Sequence, residues 1–195
     1  MNLLLLGLVL FLGVHSVRIV ADGWRQRRID ALGENGWKAA YSLVSAVGLG
    51  FIAWGYGLAR AEPVLLWVPP RGMAHAASLL TLLAFVLLAA AYVPHNRIKS
   101  KLRHPMVLGV KVWALAHLLC NGSLADVVLF GGFLLWAVLS FRAARQRDEE
   151  ALLSGWPAHS TTRHTVATVG VGVLAWAGFA FWAHGVLIGV RPFGI

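Results

Sequence analysis

The chain has one cysteine, Cys120, in 195 residues. No internal disulfide can form and no thiolate cluster can hold a metal. Cys120 itself reads as a small residue packed near a helix end. Charge is also scarce: Asp, Glu, Lys and Arg make up 13% of the residues, about half the share of a soluble domain. Low-complexity segments and internal repeats are absent. So are the interrupted helices and paired intramembrane charges that mark a transporter. Met1 and Asn2 carry no basic charge and no small-residue cleavage site precedes Arg18, so the first apolar run reads as a retained span, not a signal peptide.

What the chain has in abundance is apolar surface, at 58% of residues and a mean hydropathy of +0.71. This combination implies an all-α, polytopic transmembrane bundle in a single domain, 1–195. Six apolar segments are long enough to span, at about 2–20, 37–59, 72–93, 105–119, 123–141 and 165–190. The fourth is the shortest, and Asn121-Gly122 is a turn signal joining it to the fifth. The stretch from Arg145 to Glu150 reads as a solvated helix extension, and Ser154 to Pro157 as a break with Trp156 at the interface. Gly170, Gly172, Ala175 and Gly178 favour close helix packing, within the bundle or between copies in a homo-oligomer.

The net charge of +9 does not point to nucleic acid, because the basic residues sit in short connections between apolar runs. Thirteen of the 17 fall in odd-numbered connections or at their helix ends (Arg18, Arg25, Arg27, Arg28 and Lys38; Arg97, Lys99, Lys101 and Arg103; Arg142, Arg145, Arg147 and Arg163). Arg60, Arg71 and Arg191 fall on the opposite side. The positive-inside rule then places both termini on the non-cytoplasmic side.

Polar residues inside apolar helices are costly and mark a site or a buried hydrogen bond. Asp126 is the only acidic residue well within a span, and it is expected to be paired or hydrogen-bonded. Of eight histidines, His95, His159 and His164 read as solvated, His104 as the cap of the span that Pro105 opens, and His184 as facing headgroups or a partner. His15, His75 and His117 remain, each in an apolar helix. Each alone suits a histidine bonded to a backbone carbonyl. Three in one small bundle suggest a shared cofactor or polar pocket, and a neutral imidazole is a good ligand for haem iron. His117 shares a helix stripe with Trp113 and Cys120, while His104 and Lys111, seven apart, share another. Lys111 can extend to the interface or meet an acidic group such as a haem propionate, and Arg18, one turn beyond His15, suits the same role. By helical rise, His15 and His117 differ in depth by roughly 10 Å, which makes His75 with His117 the easier pair.

Several motifs occur in a familiar order. Arg103-His104-Pro105, Gly109, Trp113, Ala116-His117 and Asn121-Gly122 resemble the NnrU family of bacterial membrane proteins. So do Gly13-Val14-His15-Ser16 with Arg18, Gly33-Glu34 with Trp37, and Leu66-Trp67 with Pro69-Pro70. The resemblance covers about residues 1–145. It implies a multi-pass protein of the bacterial inner membrane, surrounded by lipid and associated with denitrification, near the respiratory nitrogen-oxide enzymes. The same superfamily holds the 15-cis-zeta-carotene isomerase, a haem b protein whose iron is held by histidines matching His15 and His117. On that resemblance this chain binds haem b through His117 and His15, with His75 as the alternative to His15. An isomerase acting on a carotenoid or other apolar polyene is the second reading. That isomerase has a cysteine three residues before the second histidine, where Ala114 stands here, which argues against its redox-switched mechanism. Arg103-His104-Pro105, Gly109 and Glu149-Glu150 are also loosely similar to S-adenosylmethionine-dependent lipid methyltransferases, but Trp156 to His159 replaces the aromatic residues that follow there. A cofactor-free membrane scaffold, with its histidines as polar packing, is the bland alternative.

Overall fold

The computed structural model describes residues 1–151 and 160–193, the side chains of 149–151 excepted. The expected break at Ser154–Pro157, the interfacial Trp156, solvated His159 and the side chains of Glu149 and Glu150 lie outside what is described. The described residues form helices almost throughout, as expected: α1 (Asn2–Val20), α2 (Asp22–Ala61), α3 (Met73–Tyr92), α4 (Arg97–Leu102), α5 (Pro105–Cys120), α6 (Leu124–Ala151), α7 (Thr162–Gly178) and α8 (His184–Ile188). A π-helical turn, Phe179–Ala183, joins the last two. Five helical stretches are long and apolar enough to cross a membrane; α5, with 16 residues, is apolar but shorter.

The connection expected after α1 is largely helical. Residues 22–32 hold three Arg with Gln26, Ala31 and Leu32, all good helix formers. Only Ala21 and Gly33 interrupt the helical path, Gly33 with φ 72° and ψ 161°. α4 was also not expected. It starts at Asn96, whose side chain accepts from Lys99 N at 2.7 Å and donates to the carbonyls of Val93 at 2.6 Å and Ala90 at 3.0 Å. Asn96 is only 1% exposed, so one buried amide caps α4 and satisfies the end of α3.

The chain packs as two compact units. The first comprises Met1–Val68 and Gly122–Ser140, the second Pro69–Asn121 and Phe141–Ile195. In the first, α1 lies against α2 through glycines. A Cβ on Gly7 would stand 2.5 Å from Ile52 N, and one on Gly48 2.8 Å from Phe11 N. Hydrocarbon offers little drive for two apolar helices to associate, so such backbone approach supplies the contact. At the far end, the carbonyl of Gly122 accepts from Leu66 N at 2.8 Å and Trp67 N at 3.2 Å, and Leu124 N donates to Val64 O at 2.8 Å. A Cβ on Gly122 would run into the Trp67 carbonyl, which is why the turn carries glycine.

In the second unit α3 packs on α5 and α7. Gly109 of α5 faces Ala84 and Leu88, and Gly172 of α7 faces Val86. Of the small residues expected to mediate close packing in the last span, Gly172 alone is buried; Gly170, Ala175 and Gly178 are exposed.

Candidate functional site

His15 lies on α1 in the first unit. Its Nδ1 is 2.6 Å from the carbonyl oxygen of Phe11, one turn earlier. A carbonyl only accepts, so Nδ1 carries the proton and the lone pair of the neutral ring is on Nε2. The ring stacks on Phe11 (centroids 4.2 Å apart), with Tyr41 of α2 at 5.1 Å and Trp136 of α6 edge-on at 6.0 Å. Aromatic contacts continue from Tyr41 to Trp37 and Trp24. The indole N–H of Trp136 is buried without an acceptor among the described residues. Arg18, one turn beyond His15, is exposed.

His117, on α5 in the second unit, repeats this local arrangement. Its Nδ1 is 2.9 Å from the Trp113 carbonyl, again one turn earlier, and the Trp113 ring lies 5.1 Å from the imidazole. The His117 carbonyl accepts from Asn121 N at 3.0 Å and Asn121 Nδ2 at 2.9 Å, which fixes the last turn of α5. Both histidines are thus preceded at position −4 by an aromatic residue that supplies a ring contact and a carbonyl acceptor. This aromatic-x-x-x-His pattern was legible in the sequence and was missed. A ring N–H given to a backbone carbonyl is the usual outer support of a histidine that ligates metal through its other nitrogen.

His75 is built differently. It is exposed on the first turn of α3 and shares a stripe with exposed Leu79 and Leu83. Arg71 stands four residues before it, in the place of the aromatic. Lys111 sets its ammonium 5.6 Å from the Phe141 ring centre, and His104 meets the same ring at 6.3 Å. The two share one face of α5, as their spacing implied.

His104 occupies the N-cap position of α5, but its side chain makes no cap bond. Its Nε2 instead lies 3.0 Å from Asp148 Oδ2, with Arg103 at 3.5 Å and Arg145 at 3.7 Å from the same oxygen. Asp148 is buried, contrary to the solvated extension read from the sequence; three basic partners offset the cost of burying a carboxylate. Asp126 is bonded, as expected: Tyr56 donates to Oδ1 at 2.5 Å, while Ser123 donates N–H at 2.9 Å and O–H at 2.6 Å to Oδ2. Asp126 N in turn lies 3.2 Å from Ser123 Oγ. This reciprocal capping box opens α6.

Among the described residues, no three His, Cys, Asp or Glu side chains stand together as a metal-ion site. Such a group would hold a bare metal ion, whereas a haem iron takes only one or two axial ligands from the protein. The family model for NnrU protein matches residues 3–192. The chain belongs to the NnrU family. The NnrU match extends beyond residue 145, where the resemblance of individual motifs faded. No curated protein and no solved structure matches the chain.

Proposed function

We propose that this NnrU protein is a six-span protein of the bacterial inner membrane, with both termini outside, that binds haem b through His15 and His117. The observation that carries this reading is the arrangement the two histidines share: Nδ1–H given to the carbonyl at position −4, an aromatic ring alongside, and the lone pair on Nε2. The exposed position of His75 among lipid-facing leucines favours His15 over it as the partner of His117. The buried indole N–H of Trp136 beside His15 is a polar group that a bound cofactor gives reason to be there. Bound haem supplies an iron whose potential is set by its axial ligands and the apolar surroundings. The protein's part is to fix the tautomer and orientation of each imidazole and to keep water out.

The six-span count takes α5 as a span. At 1.5 Å per residue its 16 residues reach roughly 24 Å, short of a ~30 Å core, so local thinning or the polar ends His104 and Asn121 must make up the difference. The proposed role is in denitrification, beside membrane-bound nitrogen-oxide enzymes. Purified protein should show a Soret band and sharp α and β bands after reduction with dithionite. His15→Ala and His117→Ala should each lose or alter them, and His75→Ala should not. Unchanged haem content in His117→Ala defeats the assignment. Polyene isomerisation would draw on the same iron, but Ala114, fully buried on α5, offers no thiol for the redox switch proposed for the isomerase. Expression in a carotenoid-producing host should therefore leave the isomer ratio unchanged.

A further inference from the structure

Two histidines that the haem reading does not use come together in the second unit, at the end where α3 finishes and α7 begins. His95 and His164 lie 69 positions apart in the chain, yet their ring centres are 5.8 Å apart with planes at 68°. Their backbones are tied to each other. Thr161 N donates to the His95 carbonyl at 2.9 Å, and Arg97 N donates to Thr165 Oγ1 at 3.0 Å. Thr161 also caps α7 by accepting from His164 N at 3.2 Å, and the same hydroxyl lies 2.6 Å from His164 Nδ1. His95 has φ 52°, one of two non-glycine residues with positive φ among those described. That conformation is uncommon for such a residue and needs surroundings that hold it.

We propose that His95 and His164 form a two-histidine site for a divalent transition-metal ion such as Zn²⁺ or Cu²⁺. With a Zn–N bond of about 2.0–2.1 Å and a ring centre roughly 1.1 Å behind each nitrogen, two imidazoles on one tetrahedral ion have centres about 5.2 Å apart. The two ring centres stand 5.8 Å apart, so a shift of roughly half an ångström by the exposed His95 side chain brings them to that spacing. Thr161 supplies outer support: with Nδ1–H given to its hydroxyl, the lone pair of His164 is on Nε2. His95 is exposed and His164 half-buried, so an ion arrives from water and water completes its coordination. Imidazole ligands suit Zn²⁺ and Cu²⁺, with Cu²⁺ the tighter of the two. A bound ion would clamp the α3–α4 turn to the start of α7 and stabilise this end of the unit by mass action.

The test is titration calorimetry of the full-length protein in detergent, purified without a polyhistidine tag, with zinc chloride as probe and thermal unfolding as a second readout. The variants are His95→Asn, which suits the positive φ, and His164→Asn; circular dichroism verifies the fold. His184→Asn serves as control, since about 20 residues of continuous helix, roughly 30 Å, separate it from His164. Changes in outer support alone weaken metal sites by about 10–100-fold, so loss of a ligand should cost about tenfold or more. The expected result is one zinc equivalent bound by the wild type, weakened by that factor in each single variant and unchanged in the control, with a matching loss of the zinc-induced rise in unfolding temperature. Failure of the wild type to bind at sub-millimolar zinc, or wild-type affinity in either His95→Asn or His164→Asn, overturns the proposal.

Discussion

Replacing Tyr56 with Phe removes one oxygen and leaves the ring. The lost group is the phenol O–H that Asp126 Oδ1 accepts at 2.5 Å, in a helix of the first unit. Asp126 is 7% exposed, so water does not readily replace the bond. Its other oxygen keeps both bonds from Ser123, so the capping box should survive. A hydrogen bond to a charged or strongly polar buried acceptor contributes about 1.5–3 kcal/mol. For a chain of this size each kcal/mol moves the unfolding midpoint by about 2–4 °C. Tyr56→Phe should therefore melt roughly 3–12 °C lower in detergent. Ser123→Ala, which removes the other hydroxyl and the helix cap, should cost about as much. Because both act on one carboxylate, the double variant should fall short of or exceed the sum of the singles. A Tyr56→Phe midpoint within about 1 °C of wild type would refute the view that this carboxylate ties α2 to the start of α6.

Three further outcomes follow from the packing. Gly122→Ala should destabilise the protein by about 1–3 kcal/mol, because its methyl meets the Trp67 carbonyl and must break the bonds from Leu66 and Trp67; denaturant unfolding measures this. Asn96→Ala loses the cap of α4 and strands the Ala90 and Val93 carbonyls, at a cost of about 2–3 kcal/mol, with faster amide exchange in α4 as the local sign. The Lys38 ammonium, 2.8 Å from Glu34, holds that carboxyl below its ordinary value. A lowered carboxylate pKa adds stability that is present above the ordinary value and lost as pH falls through the lowered one. Lys38→Met should return Glu34 toward the ordinary value in an NMR titration and remove that acid-side loss; being fully exposed, the pair should move overall stability little.

The sequence made the membrane helices legible because length and hydropathy alone decide them. The limits of α1, α3 and α5 fall within a residue or so of the apolar runs, and Pro105 opens α5 as its fixed φ requires. The helix over 22–32 was hidden because charge patterning marks such a segment as a connection without saying whether it coils. α4 was missed although Asn96, a favoured N-cap residue, was there to read: its six residues carry Arg97, Lys99 and Lys101, and that charge marked them as a connection. The burial of Asp148 was likewise out of reach: it depends on Arg103, with φ 62°, turning toward α6 across a distance of 45 positions in the chain. At the candidate site, the spacing of Lys111 and His104 correctly gave a shared face. The depth argument favoured His75, but depth along a helix does not say which way a side chain points, and His75 points outward with Leu79, which is 69% exposed. The aromatic residue four before His15 and before His117 was the available signal.

The central claim is that His15 and His117 are prepared as iron ligands and His75 is not. The most direct test is the reduced-minus-oxidised absorption spectrum of the wild type and of the three single His→Ala variants, expressed with added haem precursor and matched for protein. The account predicts a six-coordinate b-type spectrum in the wild type and His75→Ala, and its loss or conversion in His15→Ala and His117→Ala. A featureless wild-type spectrum, or full haem content in His15→Ala and His117→Ala alike, would contradict it.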